Sequence, residues 1–250
     1  MLRTLIVCLV ALLYIFLVGT PLVLYSVIIH NTDTLYKVGV AGGRMVLWLA
    51  GVKVDVRNRE RIVADRAVVF MSNHQSNADA PAVFVQLPPV LTLGKKEFFR
   101  VPILGTAMRL RGFIPVERKR IRRQAVEKVE AAVRALRAGH SFAVFPEGTR
   151  STDGRLQPFK KGVFVMAIEA GAPIVPISVS GATRIMRKGS PVIHPGTVRL
   201  TVHDPVPTEG RTLDDMALIM EEVRQAICRG LTAEELPIAD CRLPIEREAH

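Results

Sequence analysis

The sequence has 250 residues, which is enough for one well-cored domain with an appendage. Its 34 Lys and Arg residues against 23 Asp and Glu residues give a formal net charge of +11, and this excess predicts a polyanionic partner, either nucleic acid or an anionic membrane surface. Only 6% of the residues are aromatic, and no basic stretch is interleaved with stacking rings, which argues against binding of single-stranded nucleic acid.

The first predicted element is an apolar segment over residues 4–29, and none of its 26 residues is charged. It is longer than the roughly 20 residues that span a bilayer as a helix, and it lacks the cleavage site of a secretory signal. Gly19 and Pro21 interrupt it, so one spanning helix and a helical hairpin in one leaflet both remain open. A buried helix of a soluble core is the less favoured alternative. We predict a membrane anchor over residues 1–55.

The remainder of the chain predicts an α/β domain over residues 56–230. Lysine and arginine are abundant in the chain after residue 52, which favours a position of this domain on the cytoplasmic side of an inner membrane. Short apolar runs predict strands at residues 67–71, 113–116, 141–145, 174–180 and 198–203. Helices are predicted over residues 121–136, 161–170 and 212–228. This alternation predicts a mixed β-sheet flanked by helices, and residues 231–250 are predicted to be a loose tail.

The first motif with a chemical implication is Asn-His-Gln-Ser-Asn-Ala-Asp, which follows the first predicted strand and contains His74 and Asp79. An imidazole that a carboxylate holds in one tautomer can act as a general base toward an alcohol. Taken alone, the pair fits a capped loop better than a catalytic dyad. The sequence has no Gly-x-Ser-x-Gly motif to supply a covalent nucleophile.

The second motif, Phe-Pro-Glu-Gly-Thr-Arg-Ser, occupies residues 145–151 after another predicted strand. It contains Glu147, Gly148, Thr149 and Arg150. Arginine suits bidentate binding of phosphate, and a glycine turn adds exposed backbone donors. A salt bridge between Glu147 and Arg150 within the turn is the structural alternative. No Cys-x-x-Cys or His-x-x-x-His pair is present, so we expect no metal site.

Four blocks of sequence, taken in order, resemble the glycerolipid acyltransferases, and within them the bacterial 1-acylglycerol-3-phosphate acyltransferases. The blocks are residues 73–79, 95–105, 145–151 and 174–178. Members of this family often carry Ile-Asp-Arg after the second block. Glu117 and Arg118 stand near that place here, and we expect this departure to shift the contacts with the acceptor without abolishing activity.

The resemblance implies a role for each matched residue. His74 would deprotonate the acceptor hydroxyl and Asp79 would orient His74, so that the hydroxyl attacks an acyl thioester directly. The phosphate of the acceptor would be bound by Glu147, Gly148, Thr149 and Arg150, with added positive charge from Lys95 and Arg100. Gly105 and Pro176 would lie on the acyl or donor side, although Pro176 fits a plain edge-strand proline equally well.

The reaction implied by the resemblance is transfer of a fatty acyl chain to the sn-2 hydroxyl of 1-acyl-glycerol 3-phosphate, which gives phosphatidic acid for phospholipid synthesis. The donor is acyl-CoA or acyl-carrier protein, without a further cofactor. The expected partners are membrane lipids and the donor, not nucleic acid, and the oligomeric state is left open. Another lysophospholipid, a lyso-aminolipid or glycerol 3-phosphate remains an alternative acceptor. A membrane-anchored basic binding protein without catalysis is the alternative from a different class.

Overall fold

The N-terminal apolar segment is one unbroken helix. The computed structural model describes residues 1–116 and 122–236 of the chain, except for the side chains of residues 122–125. The helix consists of α1 (Leu2–Tyr14), a π-helical turn (Ile15–Gly19) and α2 (Thr20–Ile29). The π-helical turn ends just before Pro21, which has no N–H to donate, and such local widening lets a helix accommodate a proline. The Gly19–Pro21 sequence therefore does not split the segment.

A hairpin does form, but its turn lies later in the chain. The long helix ends at His30, whose φ is 55°, and α3 (Asp33–Leu49) folds back beside it. The Tyr14 hydroxyl donates a hydrogen bond to the Val38 carbonyl at 2.8 Å. Gly42 faces the Tyr14 ring so closely that a Cβ there would lie 2.5 Å from a ring carbon. Two helices thus pair through a residue with no side chain.

The outer face of the long helix is apolar and exposed. The segment Leu2–Ile29 has a mean hydropathy of 2.7 over its most apolar window, and only 11% of that window is buried. By length and composition this helix is able to cross a membrane. Exposed large apolar side chains include Leu5, Leu9, Phe16, Leu17, Leu24 and Ile28. Such a continuous apolar surface marks a contact with lipid or with another protein.

The main sheet has six strands in the order β1-β8-β7-β2-β6-β3. They are β1 (Val52–Arg57), β2 (Val69–Ser72), β3 (Val90–Leu91), β6 (Ser141–Val144), β7 (Ile174–Ser180) and β8 (Gly196–Val202). Among the strand pairs of this sheet in the described residues, only β7–β8 is antiparallel. A separate two-stranded parallel sheet joins β4 (Leu93–Lys95) to β5 (Ile114–Val116). The mixed character of the sheet confirms the predicted fold class.

Helices cover both faces of this sheet. They are α4 (Asp79–Phe84), α5 (Leu104–Leu110), α6 (Arg122–Arg137), α7 (Gly162–Ala170), α8 (Ala182–Ile185) and α9 (Met216–Arg229). Phe70 of β2 belongs to an apolar cluster that includes residues of α1, α3, α4 and α8, whereas its neighbour Met71 belongs to a second cluster with residues of α6, α7 and α9. Successive strand residues point to opposite faces, so one strand contributes to both apolar layers. The N-terminal hairpin is therefore part of one core layer.

The predicted central strands and long helices agree with the structure to within a few residues. The structure adds β1, β3 and β4 and the short helices α4, α5 and α8, which the sequence analysis did not predict. Strand β1 runs parallel to β8 with Val54 opposite Val198, so the boundary predicted at residue 55 falls inside a strand of the main sheet. Ile121, Glu117 and Arg118 lie outside the described residues.

Part of the predicted loose tail packs on the domain. The Glu235 side chain is buried and accepts hydrogen bonds from the Ser180 hydroxyl at 2.7 Å and from the Gly181 N–H at 2.8 Å. Leu156 also donates its N–H to the Glu235 carbonyl. Residues 231–236 thus close over the carboxyl end of β7. The other residues of the predicted tail, 237–250, lie outside the residues that the structure describes.

Candidate active site

The two predicted motifs lie side by side at one edge of the main sheet. Strand β2 ends at Ser72 and β6 ends at Val144, and the two strands are parallel neighbours with Met71 opposite Val144. The segments that follow them, residues 73–79 and 145–151, therefore leave the sheet at the same edge. Ligands of open α/β sheets bind at this carboxyl edge.

His74 and Asp79 form a dyad. The His74 Nδ1 lies 2.8 Å from the Asp79 Oδ2, and the Asp79 side chain is fully buried while 19% of the His74 side chain is exposed. The same Asp79 oxygen accepts the N–H groups of Gln75 at 2.6 Å and Ser76 at 2.7 Å. A carboxylate surrounded by donors keeps the hydrogen on Nδ1, which leaves Nε2 as the proton acceptor. Asp79 thus caps the loop and orients His74 with one oxygen.

Two neighbouring residues that the sequence analysis did not assign a role hold this loop. Asn73 is fully buried, and its amide exchanges two hydrogen bonds with the main chain of Val179 on β7, at 2.8 and 2.7 Å. The Phe145 ring stacks on the His74 ring with centroids 4.1 Å apart and planes 18° apart. Both residues stand inside the matched motifs, and their position there was the only sequence signal for them.

Glu147 faces inward and is 2% exposed. Its Oε1 accepts the main-chain N–H of His74 at 2.7 Å, and its Oε2 accepts that of Gln157 at 3.1 Å. Burial raises the pKa of Glu147 to about 8, although the two N–H groups oppose the shift. The Ser151 N–H also donates to the His74 carbonyl at 2.8 Å. Both polar groups of the His74 main chain are therefore bound by the second motif.

The rest of that turn faces outward. Gly148 is exposed with a φ of +68°, a conformation that favours glycine, and Thr149 is half-buried. Within residues 1–116 and 122–236 the Arg150 guanidinium forms no ion pair, so the suggested salt bridge to Glu147 is absent there. The Arg150 carbonyl accepts a hydrogen bond from Lys188 Nζ at 2.6 Å. The guanidinium is consequently available to an anion.

The second block lies on the small sheet and α5. Lys95 ends β4, and Arg100 is exposed at the end of the 3₁₀ turn Phe98–Arg100. Gly105 lies in the first turn of α5, where a Cβ would collide with the Phe99 carbonyl. Close packing of α5 therefore requires a glycine there.

Pro176 lies in a central strand. It is buried in β7, which pairs with β2 through Met71 and with β8 on its other side. The Pro176 carbonyl accepts the His203 N–H at 2.9 Å. The alternative of a plain edge-strand proline is therefore wrong, because both edges of β7 are occupied.

An apolar cavity of about 320 Å³ lies between the N-terminal hairpin, α4 and α5. Its wall includes Tyr14, Val23, Tyr36, Phe84, Ile103 and Met108. Ala80 and Pro81, which follow Asp79 on α4, also border it, so one short helix carries both the dyad carboxylate and part of the apolar wall. Within the described part of the chain, no three His, Cys, Asp or Glu side chains are grouped so as to hold a metal ion.

Comparison with known proteins identifies the family. A family model described as Acyltransferase matches residues 53–180, which is half of the chain. The chain belongs to this acyltransferase family. The match begins in β1 and ends with β7, so it contains both motifs at the sheet edge. The resemblance that the four sequence blocks indicated is thereby confirmed.

This acyltransferase is similar in sequence to several proteins named 1-acyl-sn-glycerol-3-phosphate acyltransferase. It is 35% identical over 181 residues to the chloroplastic 1-acyl-sn-glycerol-3-phosphate acyltransferase BAT2 of Brassica napus, covering 72% of this chain and 51% of that protein. It is 34% identical over 183 residues to the human 1-acyl-sn-glycerol-3-phosphate acyltransferase alpha, covering 73% and 65%. The chain thus spans about half the length of the Brassica protein and about two thirds of the human one.

The fold of this acyltransferase is similar to a solved structure. The crystal structure of the 1-acyl-sn-glycerophosphate (LPA) acyltransferase of Thermotoga maritima superposes with a TM-score of 0.79 at 27% sequence identity. The superposition covers 92% of this chain and 93% of that one. The similarity therefore extends beyond the family match to the N-terminal hairpin and the C-terminal helix.

Proposed function

We propose that this acyltransferase moves a fatty acyl chain from an acyl thioester to the sn-2 hydroxyl of 1-acyl-glycerol 3-phosphate and forms phosphatidic acid. The observation that carries the proposal is the His74–Asp79 pair, whose geometry leaves Nε2 as a proton acceptor at the carboxyl edge of the sheet. The names of the Brassica, human and Thermotoga relatives favour this acceptor.

The chemistry proceeds as a direct displacement. His74 Nε2 takes the proton of the acceptor hydroxyl as its oxygen attacks the thioester carbonyl carbon. The resulting tetrahedral species collapses with cleavage of the carbon–sulfur bond, and the proton on His74 passes to the departing thiolate. Asp79 stabilises the imidazolium that forms in between, because its charge is buried and lies 2.8 Å from Nδ1.

The acceptor phosphate binds at the outward face of the second motif. Arg150 is the main cation, since its guanidinium has no ion-pair partner among the described residues and arginine binds phosphate in a bidentate manner. The turn at Gly148 and Thr149 offers further donors. Glu147 is a positioning residue in this scheme. Its raised pKa means that it carries little negative charge at pH 7 and does not repel the phosphate.

The acyl chains lie in or beside the apolar cavity, which faces the membrane-inserted hairpin. Lys95 and Arg100 contribute positive charge around the site, while Gly105 and Pro176 shape its acyl or donor side. The exposed apolar face of Leu2–Ile29 supports association of the enzyme with a membrane. The excess of Lys and Arg after residue 52 favours a position of the domain on the cytoplasmic side of the inner membrane. The substrates are lipids, so this placement brings the site to them.

A direct assay tests the proposal. The purified enzyme in anionic phospholipid vesicles is given labelled lysophosphatidic acid with acyl-CoA or with acyl-carrier protein, and phosphatidic acid is measured. We expect product with at least one donor, and a loss of about 10³-fold or more in His74→Ala. His140→Ala is the matched control, because this exposed histidine precedes β6 at the opposite edge of the sheet and should keep full activity.

Two further outcomes separate the alternatives. If glycerol 3-phosphate, a lyso-aminolipid or another lysophospholipid is acylated and lysophosphatidic acid is not, the acceptor assignment is wrong and acyl transfer stands. If no acceptor is acylated by folded protein that still binds vesicles, the chain is a membrane-anchored binding protein. His74→Ala should bind vesicles as wild type does, because His74 is not one of the exposed apolar side chains of the long helix.

A further inference from the structure

A second and larger cavity opens at the same edge of the main sheet, on the side of β7 and β8. Its volume is about 930 Å³, which is at the upper end of the range for ligand pockets. It lies where β7 ends at Ser180 and where β8 begins at Gly196. Gln75 and Ser151 of the two motifs line it, but none of the residues to which the sequence analysis gave a catalytic or binding role does. The proposed function leaves this space unexplained.

The cavity shares a wall with the catalytic loop. Ser151 lines it and donates its main-chain N–H to the His74 carbonyl at 2.8 Å. Lys188 also lines it and donates from Nζ to the Arg150 carbonyl at 2.6 Å. The cavity is therefore in direct contact with the segment that carries the proposed acceptor-phosphate cation. A molecule bound there lies next to the segment that contacts His74.

The carboxylates of the cavity already have partners. Glu235 accepts from Ser180, Gly181 and Thr232. The Asp153 carboxylate accepts from the Ser151 hydroxyl at 2.7 Å and from the Arg155 N–H at 3.0 Å. Glu234 is exposed and forms an ion pair with Arg184 at 3.7 Å. The negative charges of these carboxylates are therefore mainly compensated by neighbouring protein groups.

Two cations of the cavity have no such compensation. The exposed Arg187 side chain forms no ion pair within the described ranges, and the half-buried Lys188 donates only to a neutral carbonyl. By contrast, Arg199 pairs with Asp55 at 3.3 Å. Adjacent unpaired cations at the mouth of a concave site favour binding of a phosphate.

Gln75 adds an uncharged polar group, its side-chain amide, to the cations at the cavity wall. It follows His74, borders the cavity and is 1% exposed, and neither atom of its amide has a hydrogen-bond partner among the described residues. Buried polar groups are nearly always satisfied, so an amide without partners at a cavity wall indicates a missing partner. A ligand that itself contains amides supplies both a donor and an acceptor.

We propose that this cavity binds the phosphopantetheine arm of the acyl-thioester donor, with Arg187 and Lys188 at its phosphate and Gln75 toward its amides. The proposal rests on the proposed acyl-transfer function. A phosphopantetheine arm carries a phosphate at one end, amides along its length and the thioester sulfur at the other end. It is common to coenzyme A and to acyl-carrier protein, so the cavity recognises the feature that both donors share.

Calorimetric titration of the full-length enzyme in detergent tests the proposal. The probes are 4′-phosphopantetheine, coenzyme A and holo-acyl-carrier protein, and the variants are Arg187→Ala and Arg187→Glu. We expect Arg187→Glu to weaken binding of 4′-phosphopantetheine by about tenfold or more, and to weaken whichever full donor the enzyme uses by a similar factor. Arg66→Ala is the matched control, since this exposed arginine precedes β2 at the opposite edge of the sheet.

Kinetics supply the second readout. Arg187→Glu should raise the KM of the donor by the same factor and leave the KM of the acceptor within about twofold. Unchanged affinity for 4′-phosphopantetheine and for both donors overturns the proposal. A weaker affinity for the carrier protein alone also overturns it, because Arg187 would then contact the protein part of the carrier. A raised KM for the acceptor alone overturns it as well. If the wild-type enzyme binds coenzyme A but transfers no acyl group, the proposed function is contradicted and the cavity assignment still stands.

Discussion

The Glu147 carboxylate accepts the main-chain N–H of His74 at 2.7 Å across 73 residues of sequence. This contact joins the motif that carries the base to the motif that carries the phosphate-binding arginine. The Ser151 N–H and the His74 carbonyl form a second link between them at 2.8 Å. The position of the imidazole therefore depends on the second motif as much as on Asp79.

Replacement of Glu147 should lower turnover without weakening acceptor binding. Glu147→Ala leaves the buried N–H groups of His74 and Gln157 without an acceptor and loosens the loop, and a displacement of about 1 Å costs on the order of 10²-fold in rate. Glu147→Gln keeps one acceptor oxygen and should retain much more activity. Steady-state kinetics with varied lysophosphatidic acid measure both constants. A raised KM with unchanged kcat means instead that Glu147 binds the substrate.

Asp79→Asn should reduce kcat by about 10³-fold to 10⁴-fold with the overall fold preserved. The amide cannot keep the hydrogen on His74 Nδ1 and stabilise the imidazolium, although it still occupies the loop. Circular dichroism and thermal unfolding show whether the variant is folded. Full turnover by a folded Asp79→Asn protein contradicts the dyad and returns Asp79 to a purely structural cap of Gln75 and Ser76.

Arg150→Ala should raise the KM of lysophosphatidic acid by about tenfold to a hundredfold, because a charge-assisted contact to phosphate is lost. Arg150→Lys keeps the charge but not the bidentate geometry, and it should lie between Ala and wild type. The donor KM serves as the internal control and should change little. An equal effect on both KM values indicates that the turn is distorted as a whole.

Stability should depend on pH through His203. Its Nε2 lies within hydrogen-bond distance, 2.7 Å, of the Ser178 hydroxyl oxygen, and burial, with added effects of Arg229 and Arg61, lowers the pKa of His203 to about 4. Between pH 6.5 and pH 4 the unfolded chain binds more protons at this residue than the folded one, so its contribution to stability falls as the pH falls. The expected loss is about 2–3 kcal/mol by pH 4.5.

The measurement is the free energy of unfolding in urea at several pH values for wild type and for His203→Gln. Glu147 contributes with the opposite sign, since its raised pKa gives stability that is lost as the pH rises toward 8. The comparison therefore uses the difference between the two proteins at each pH. That difference should narrow toward acid pH by about 2–3 kcal/mol. A difference independent of pH contradicts a buried neutral His203.

Elements with a local signal could be predicted from the amino-acid sequence. The apolar runs that became β2, β6 and β7 were predicted because buried strands are short and continuously apolar, and the long helices because apolar residues recur at three and four positions. The five-residue spacing brings His74 and Asp79 together through a loop and a helix start. Taken alone that pair fits a capped loop, and its catalytic role was implied by the resemblance of the four blocks to a known family. The length of the N-terminal apolar segment similarly predicted a membrane anchor, as either one spanning helix or a helical hairpin.

Features that depend on contacts between distant segments became visible in the folded chain. It placed β1 in the sheet beside β8 and moved the hairpin turn from Gly19 to His30, because pairing and helix packing depend on distant partners. It turned Glu147 inward onto His74, which no local pattern distinguishes from an outward phosphate ligand. The cavity beside Gln75 is likewise invisible in one segment of sequence, because its wall comes from chain segments that only folding brings to the same sheet edge.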